Sequence, residues 1–107
     1  MAYVYRPRGM PARFMAGAPD VIRQSVLDIV ATPHDAVLEY DILFKPSSPD
    51  AAEIVGLDFG GRGEQGCHFF LRPHEARAYR GRARRKRVAW VNLPEATQQA
   101  VLAYLAE

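Results

Sequence analysis

Basic side chains are concentrated in one stretch of this chain, Arg72–Arg87, called the basic segment below. Its sixteen positions hold eight arginines and lysines and a single acid, Glu75. Because the arginine fork binds phosphate and carboxylate oxygens through paired hydrogen bonds, this composition predicts an anionic partner. Seven side chains are predicted to contact nucleic-acid phosphates: Arg77, Arg80, Arg82, Arg84, Arg85, Lys86 and Arg87.

The charge is divided unequally along the chain. Residues 1–60 hold five basic and eight acidic side chains, whereas residues 61–107 hold nine and four. The first interpretation is a small non-enzymatic nucleic-acid-binding or regulatory protein, whose basic segment contacts DNA or RNA phosphates. The alternative is a protein-interaction module, whose basic segment docks on an acidic protein surface or on the acidic segment Asp20–Asp58 of a second copy in a homodimer.

A glycine-rich string at residues 61–66 matches the pattern G-x-G-x-x-G. In a dinucleotide site such glycines lead into a helix whose N-terminus holds the pyrophosphate. Here residues 67–70, Cys-His-Phe-Phe, have the composition of a strand instead. The string therefore predicts the turn of a β-hairpin, in which glycines supply positive φ angles.

The residues that most often do catalysis or hold metals are not spaced for either task. Cys67, His68 and His74 lack the paired spacing of zinc ligands, and we expect Cys67 to be a small core residue. Glu39 and Asp41 share one face of a predicted strand, about 7 Å apart along it, and we expect them to be solvent-exposed. The sequence thus predicts no catalytic residue, no metal and no cofactor, and it disfavours an enzyme.

The hydrophobic pattern predicts the elements of the first half of the chain. Between Pro19 and Ala31 the apolar residues have helical spacing, and Pro33 is expected to end this helix. The period then changes to two, which predicts a strand from Leu38 to Phe44. Residues 54–59 and 67–72 predict two further strands, joined by the glycine-rich turn into a hairpin.

The second half is predicted to begin with the stretch His74–Lys86, helical at its start, and to continue with a strand at residues 88–92 around a buried Trp90. A C-terminal helix follows, for which Asn92 is the expected N-cap and Glu95 completes a capping box. Near the N-terminus, residues 2–6 are short and aromatic, which is typical of an edge strand.

Together these elements predict a single α+β domain over residues 1–107, with an irregular N-terminal segment at residues 1–18. A small antiparallel sheet of about four strands is expected to pack one face against two helices, the one at residues 19–31 and the C-terminal one. One cysteine excludes an internal disulfide and is typical of a reducing compartment. No apolar run approaches the roughly 18 residues of a membrane span, so we expect a cytoplasmic protein with no membrane contact.

Overall fold

A computed structural model describes residues 9–34, 37–48, 50–60, 66–79 and 85–107, and for His34, Val37 and Arg77 the backbone alone. In this part of the chain five strands form one antiparallel sheet, in the order β4-β3-β2-β1-β5, and three α-helices pack on it. The α+β class is confirmed, with five strands in place of about four. The elements are α1 (Asp20–Ser25), β1 (Val26–His34), β2 (Val37–Phe44), β3 (Ile54–Phe59), β4 (Gly66–Leu71), α2 (Pro73–Tyr79), β5 (Lys86–Arg87) and α3 (Glu95–Leu105), with 3₁₀ turns at Ala12–Met15 and Trp90–Asn92.

The first four strands form a meander in which each strand pairs with the next along the chain. Because side chains alternate between the two faces of a strand, the register brings apolar residues into rows. Ile42 of β2, for example, lies opposite both Ile29 and Leu57. These residues belong to the larger core, which α1, α3 and the two 3₁₀ turns cover; its other buried members include Ile22, Phe44, Phe59, Trp90 and Val101.

The opposite face of the sheet carries a smaller core. Leu27, Leu43 and Ile54 are buried there against Ala76 of α2, and three partly buried side chains pack around them: Phe69, Leu71 and Tyr79. Both faces of the sheet are therefore covered in part, whereas the sequence predicted helices on one face only. The added layer is α2, which follows β4 in the chain and packs on this face of the sheet before the chain reaches β5.

The predicted helix from Pro19 to Ala31 is wrong beyond Ser25. The chain is helical only over α1 and then enters β1, which passes through Pro33 without ending there. The cause is an irregularity in β1, where the register with β2 shifts between Val26 and Asp28. This bulge places Val26 and Ile29, three residues apart, in the same core, so a bulged strand imitates the spacing of a helix.

Two predictions about the C-terminal part are also wrong. Residues 88–92 do not form a strand: the pairing with β1 covers Lys86 and Arg87, and the chain then turns through a 3₁₀ segment in which Trp90 is buried as expected. Asn92 is not the N-cap of the last helix, because α3 begins at Glu95 after Pro94 and has no side-chain cap. The fixed φ of proline already suits a helix start.

The hairpin of β3 and β4 is confirmed, although its turn at residues 61–65 lies outside the described residues, as does the edge strand predicted at residues 2–6. Gly56 of β3 pairs with Phe69 of β4. A Cβ atom on Gly56 would lie 2.3 Å from the Phe69 ring, so only glycine admits the ring there. That ring in turn stacks on Tyr79 of α2, 5.8 Å away between centroids.

Among the described residues no helix has the length and apolar character needed to cross a membrane.

Candidate functional site

The structure describes the two ends of the basic segment. Arg72 and α2 form its beginning, and Arg85, Lys86 and Arg87 form its end. Three of the predicted phosphate contacts lie outside the described residues, namely Arg80, Arg82 and Arg84, and Arg77 is placed on α2 by its backbone alone. The single acid of the segment, Glu75, accepts a hydrogen bond from the backbone N–H of Arg72, at 2.9 Å, at the start of α2.

Arg87 is held by an aspartate that lies 59 residues earlier in the sequence. Its Nε donates to Oδ1 of Asp28 at 3.0 Å, and Nη2 approaches Oδ2 at 3.4 Å, so the guanidinium fork meets both carboxylate oxygens. The pair forms because β5 lies beside β1, with Arg87 opposite Val30. Asp28 sits at the β1 bulge, where its Oδ1 also accepts the N–H of Ile29. Both side chains are largely buried, at 19% and 12% exposure.

Arg85 is held by a second aspartate and by an aromatic ring. Its guanidinium carbon lies 3.8 Å from the centroid of the Tyr79 ring, a close cation–π contact. Its Nη1 donates to the carbonyl oxygen of Tyr79 at 3.1 Å, and its Nε lies 4.0 Å from Oδ2 of Asp41. The residues on either side of positions 80–84 are thus in direct contact with each other.

Asp41 links this contact to the sheet. The phenol of Tyr79 donates to its Oδ2 at 2.5 Å, and Asp58 lies opposite it on β3. The pKa of Asp41 is raised to about 6, chiefly by burial and also by the neighbouring Asp58, while the Tyr79 hydrogen bond and the Arg85 charge act to lower it. Its Oδ1 is buried and has no hydrogen-bond partner among the described residues. A proton on this oxygen would therefore supply a donor to direct at Asp58.

Burial of Asp41 overturns the expectation that Glu39 and Asp41 are solvent-exposed charges. Asp41 is 7% exposed, because α2 and the end of the basic segment cover this face of the sheet. Tyr79 and Arg85 supply the polar contacts that a buried carboxylate requires. Two features of the sequence fit these contacts once the structure is known. One is an acidic residue inside an alternating strand, and the other is an arginine six residues after a tyrosine of a helix.

Lys86 lies between the two anchored arginines and is exposed. Because successive residues of a strand face opposite sides, the two arginines turn toward Asp28 and Asp41 while Lys86 turns away. The two aspartates take their arginines within one chain, so in the folded protein neither is open to the basic segment of a second copy. The sequence around the two arginines contains few acids, so it did not indicate which carboxylates they would contact.

In the described part of the chain, the residues considered for metal binding do not come together. Within the described ranges no three His, Cys, Asp or Glu side chains are close enough to hold a metal ion. Cys67 is exposed on β4, so its prediction as a core residue is wrong. His68 lies against Tyr104 of α3, 5.2 Å between ring centroids. A shallow groove of about 370 Å³ lies between Lys45 and Tyr104, with Glu53 also on its wall.

Comparison with known proteins finds no family model, no curated protein and no solved structure that matches the chain.

Proposed function

We propose that this chain binds nucleic acid, with the basic segment contacting backbone phosphates. The observation that carries the proposal is the contact between Tyr79 and Arg85, which holds the two ends of residues 80–84 together. Those five positions contain Arg80, Arg82 and Arg84 and no acid. The anchored end is held in turn by Asp41 and, two residues later, by the Asp28–Arg87 pair.

The physical basis of the proposal is that tethering lowers the entropic cost of binding. Ordering rotamer-rich side chains at an interface costs about 0.5–1.5 kcal/mol each, and a segment fixed at both ends loses less backbone freedom than a free tail. Arginine suits this role because its fork matches phosphate oxygens. Lys86 and Arg72 are also exposed and add to the positive charge of the basic segment.

Under this proposal the seven residues predicted to contact phosphate form two groups. Arg85 and Arg87 already engage aspartates, so their first role is to hold the segment in place. Five side chains remain as the primary contacts proposed for phosphate: Arg77, Arg80, Arg82, Arg84 and Lys86. Contact of Arg85 or Arg87 with phosphate stays a prediction, since a guanidinium can bridge a carboxylate and a second acceptor.

The test is fluorescence anisotropy of labelled single- and double-stranded oligonucleotides across a salt series. The variant replaces Arg80, Arg82 and Arg84 with glutamine, which removes three charges and keeps an unbranched polar side chain at each position. The control replaces Arg13, Arg23 and Lys45, three exposed cations outside the basic segment, in the same way. Because each neutralised phosphate contributes about 0.9 to the slope of log K against log salt, the variant should lose about 2 to 3 in slope and the control little.

Two results would contradict the proposal. One is the absence of binding at low salt. The other is an equal loss in variant and control, because binding would then follow net charge and not this segment. Labelled polyglutamate, titrated in parallel, addresses the alternative of an acidic protein partner. Segment-dependent binding of polyglutamate that exceeds binding of the oligonucleotides would replace nucleic acid by such a partner.

A further inference from the structure

The two edges of the sheet differ in how they are protected against pairing with another strand. At one edge, β5 is two residues long and both are cationic, Lys86 and Arg87. Short length and charge are devices by which proteins keep an edge strand from pairing. At the other edge, β4 is six residues long and has no charged side chain and no proline. Its register with β3 runs without a bulge from Gly66 to Leu71.

The outer edge of β4 is open within the described part of the chain. No described strand pairs with it, because β4 stands last in the sheet order and bonds to β3 alone. Two of its side chains, Cys67 and His68, are exposed. Phe70 is 58% exposed, at least as much as any other large apolar residue that the structure describes. An uncharged edge with an exposed phenyl ring is typical of a strand that pairs with a partner.

The chemistry of β4 favours a second copy of the same strand. An antiparallel copy related by a two-fold axis presents the complementary backbone donors and acceptors, since such an interface uses one surface twice. Opposing residues carry no formal charge, so no like-charge pair opposes association. When the axis passes through Phe69, each Phe70 lies opposite the His68 of the other copy. This is an aromatic cross-strand pair, on the face where His68 contacts Tyr104.

We propose that two copies of this chain pair through β4, antiparallel across a two-fold axis, and form one continuous sheet. This proposal does not depend on nucleic-acid binding, because the basic segment joins the sheet at β5, the opposite edge. The two basic segments of such a dimer lie at the two far ends of the joined sheet. With strands about 4.8 Å apart, the two β5 strands are separated by about 43 Å.

The first test is the mass in solution by light scattering as a function of concentration. Wild type should rise from 12.0 kDa toward twice that mass. Phe70→Lys adds a charge to the edge and should remain at the monomer mass. Val91→Lys is the matched control, because Val91 is 57% exposed but lies in a 3₁₀ turn away from β4. It should associate like wild type, and circular dichroism checks that both variants fold.

A second test uses the wild-type side chains of the edge. Cys67 is the single cysteine, so a spin label attached there reports on β4 alone. In the proposed register the two Cys67 Cα atoms are about 14 Å apart. The labelled dimer should therefore show dipolar broadening that disappears when labelled protein is diluted with unlabelled protein. This readout needs no substitution that threatens folding.

Three outcomes would overturn the proposal. The first is a monomer mass at all concentrations. The second is a dimer that shows no dipolar broadening at Cys67 or that loses association equally in Phe70→Lys and Val91→Lys, since another surface would then form the interface. The third is protection of the β4 amide protons from exchange that does not change on dilution, because the edge would then be covered within one chain.

Discussion

Arg87 and Asp28 meet across the edge of the sheet, with Nε of the arginine 3.0 Å from Oδ1 of the aspartate. The aspartate sits at the β1 bulge, which the two-residue strand β5 borders. The bulge that prevents the prediction of β1 from the sequence therefore also positions the carboxylate that binds Arg87 of the basic segment. An arginine that appears from the sequence to be available to an external anion is, in the fold, part of an internal pair.

Removing one partner of this pair should destabilise the protein. Arg87→Ala leaves Asp28 buried and without its cation, which should lower the free energy of unfolding by about 3 kcal/mol. Lys86→Ala, next to it and exposed, should change it by less than about 0.5 kcal/mol. Chemical denaturation of both variants checks the difference. The double variant Asp28→Asn with Arg87→Met should regain most of the loss, and equal stability of the two single variants would contradict the structural role.

Asp41 should make stability depend on pH in an unusual direction. Its pKa is about 6 in the folded protein, against an ordinary value of 3.8. The folded state therefore holds this proton up to a higher pH than the unfolded chain does. The group favours folding at low pH, and its contribution is lost as the pH rises from about 4 to about 6, by at most about 3 kcal/mol at 1.36 kcal/mol per pKa unit.

Asp41→Asn isolates this contribution, because the amide oxygen still accepts from Tyr79 and does not titrate. The difference in unfolding free energy between the variant and wild type should be small at pH 4 and should rise, in favour of the variant, between pH 4 and pH 6. Taking the difference removes the other carboxylates from the comparison. A difference that is flat across this range, or that moves against the variant, would show that Asp41 is not held in an unfavourable ionised form.

The phenol of Tyr79 should matter through its hydroxyl. Tyr79→Phe keeps the ring that stacks on Phe69 and carries Arg85, but it removes the donor to Asp41. Because that hydrogen bond lowers the pKa of Asp41, the variant should titrate at a still higher pH. Nuclear magnetic resonance of the Asp41 carboxyl carbon measures this directly. At pH 7.5 we expect a loss of about 1–3 kcal/mol in stability, and an unchanged titration would refute the link.

A side chain at Gly17 should destabilise the protein. Its φ of +77° lies in the left-handed region, and a Cβ atom would lie 3.0 Å from Cγ1 of Val91. Gly17→Ala should therefore cost about 1–2 kcal/mol of unfolding free energy. Gly60→Ala is the matched control, since a Cβ there meets nothing within 4 Å. Thermal melts should separate the two variants, and equal melting temperatures would mean that neither position is constrained.

The parts of the fold that sequence analysis predicted are those with an undisturbed local period. The strand at Leu38–Phe44 and the hairpin strands at residues 54–59 and 67–72 alternate regularly, and the structure places them within about a residue of the prediction. The strand from Val26 to His34 was not predicted, because a bulge interrupts its period of two. Nothing local in the sequence marks that bulge, which lies between Val26 and Asp28 in the pairing of β1 with β2.

Prediction of the candidate site was also limited by contacts between residues that lie far apart in the sequence. The concentration of arginine in the basic segment is visible in the sequence, but its internal partners are not, because Asp28 and Asp41 lie more than forty residues away. Only the sheet order, with β5 beside β1, brings them together. Sequence analysis could therefore indicate an anion-binding segment, and it could not separate the arginines that hold the segment from those available to a ligand.

The order of strands also bears on how the chain opens. The meander from β1 to β4 is built from neighbours in sequence, whereas β5 closes on β1 from near the other end of the chain. Closing so long a loop costs entropy, and a ladder of two residues offsets little of it, so β5 depends on side-chain contacts such as the Asp28–Arg87 pair. We expect β5 to be the last strand to dock and the first to detach, in local openings that leave the meander intact. The end of the basic segment would thus be released and recaptured many times during the life of one folded molecule.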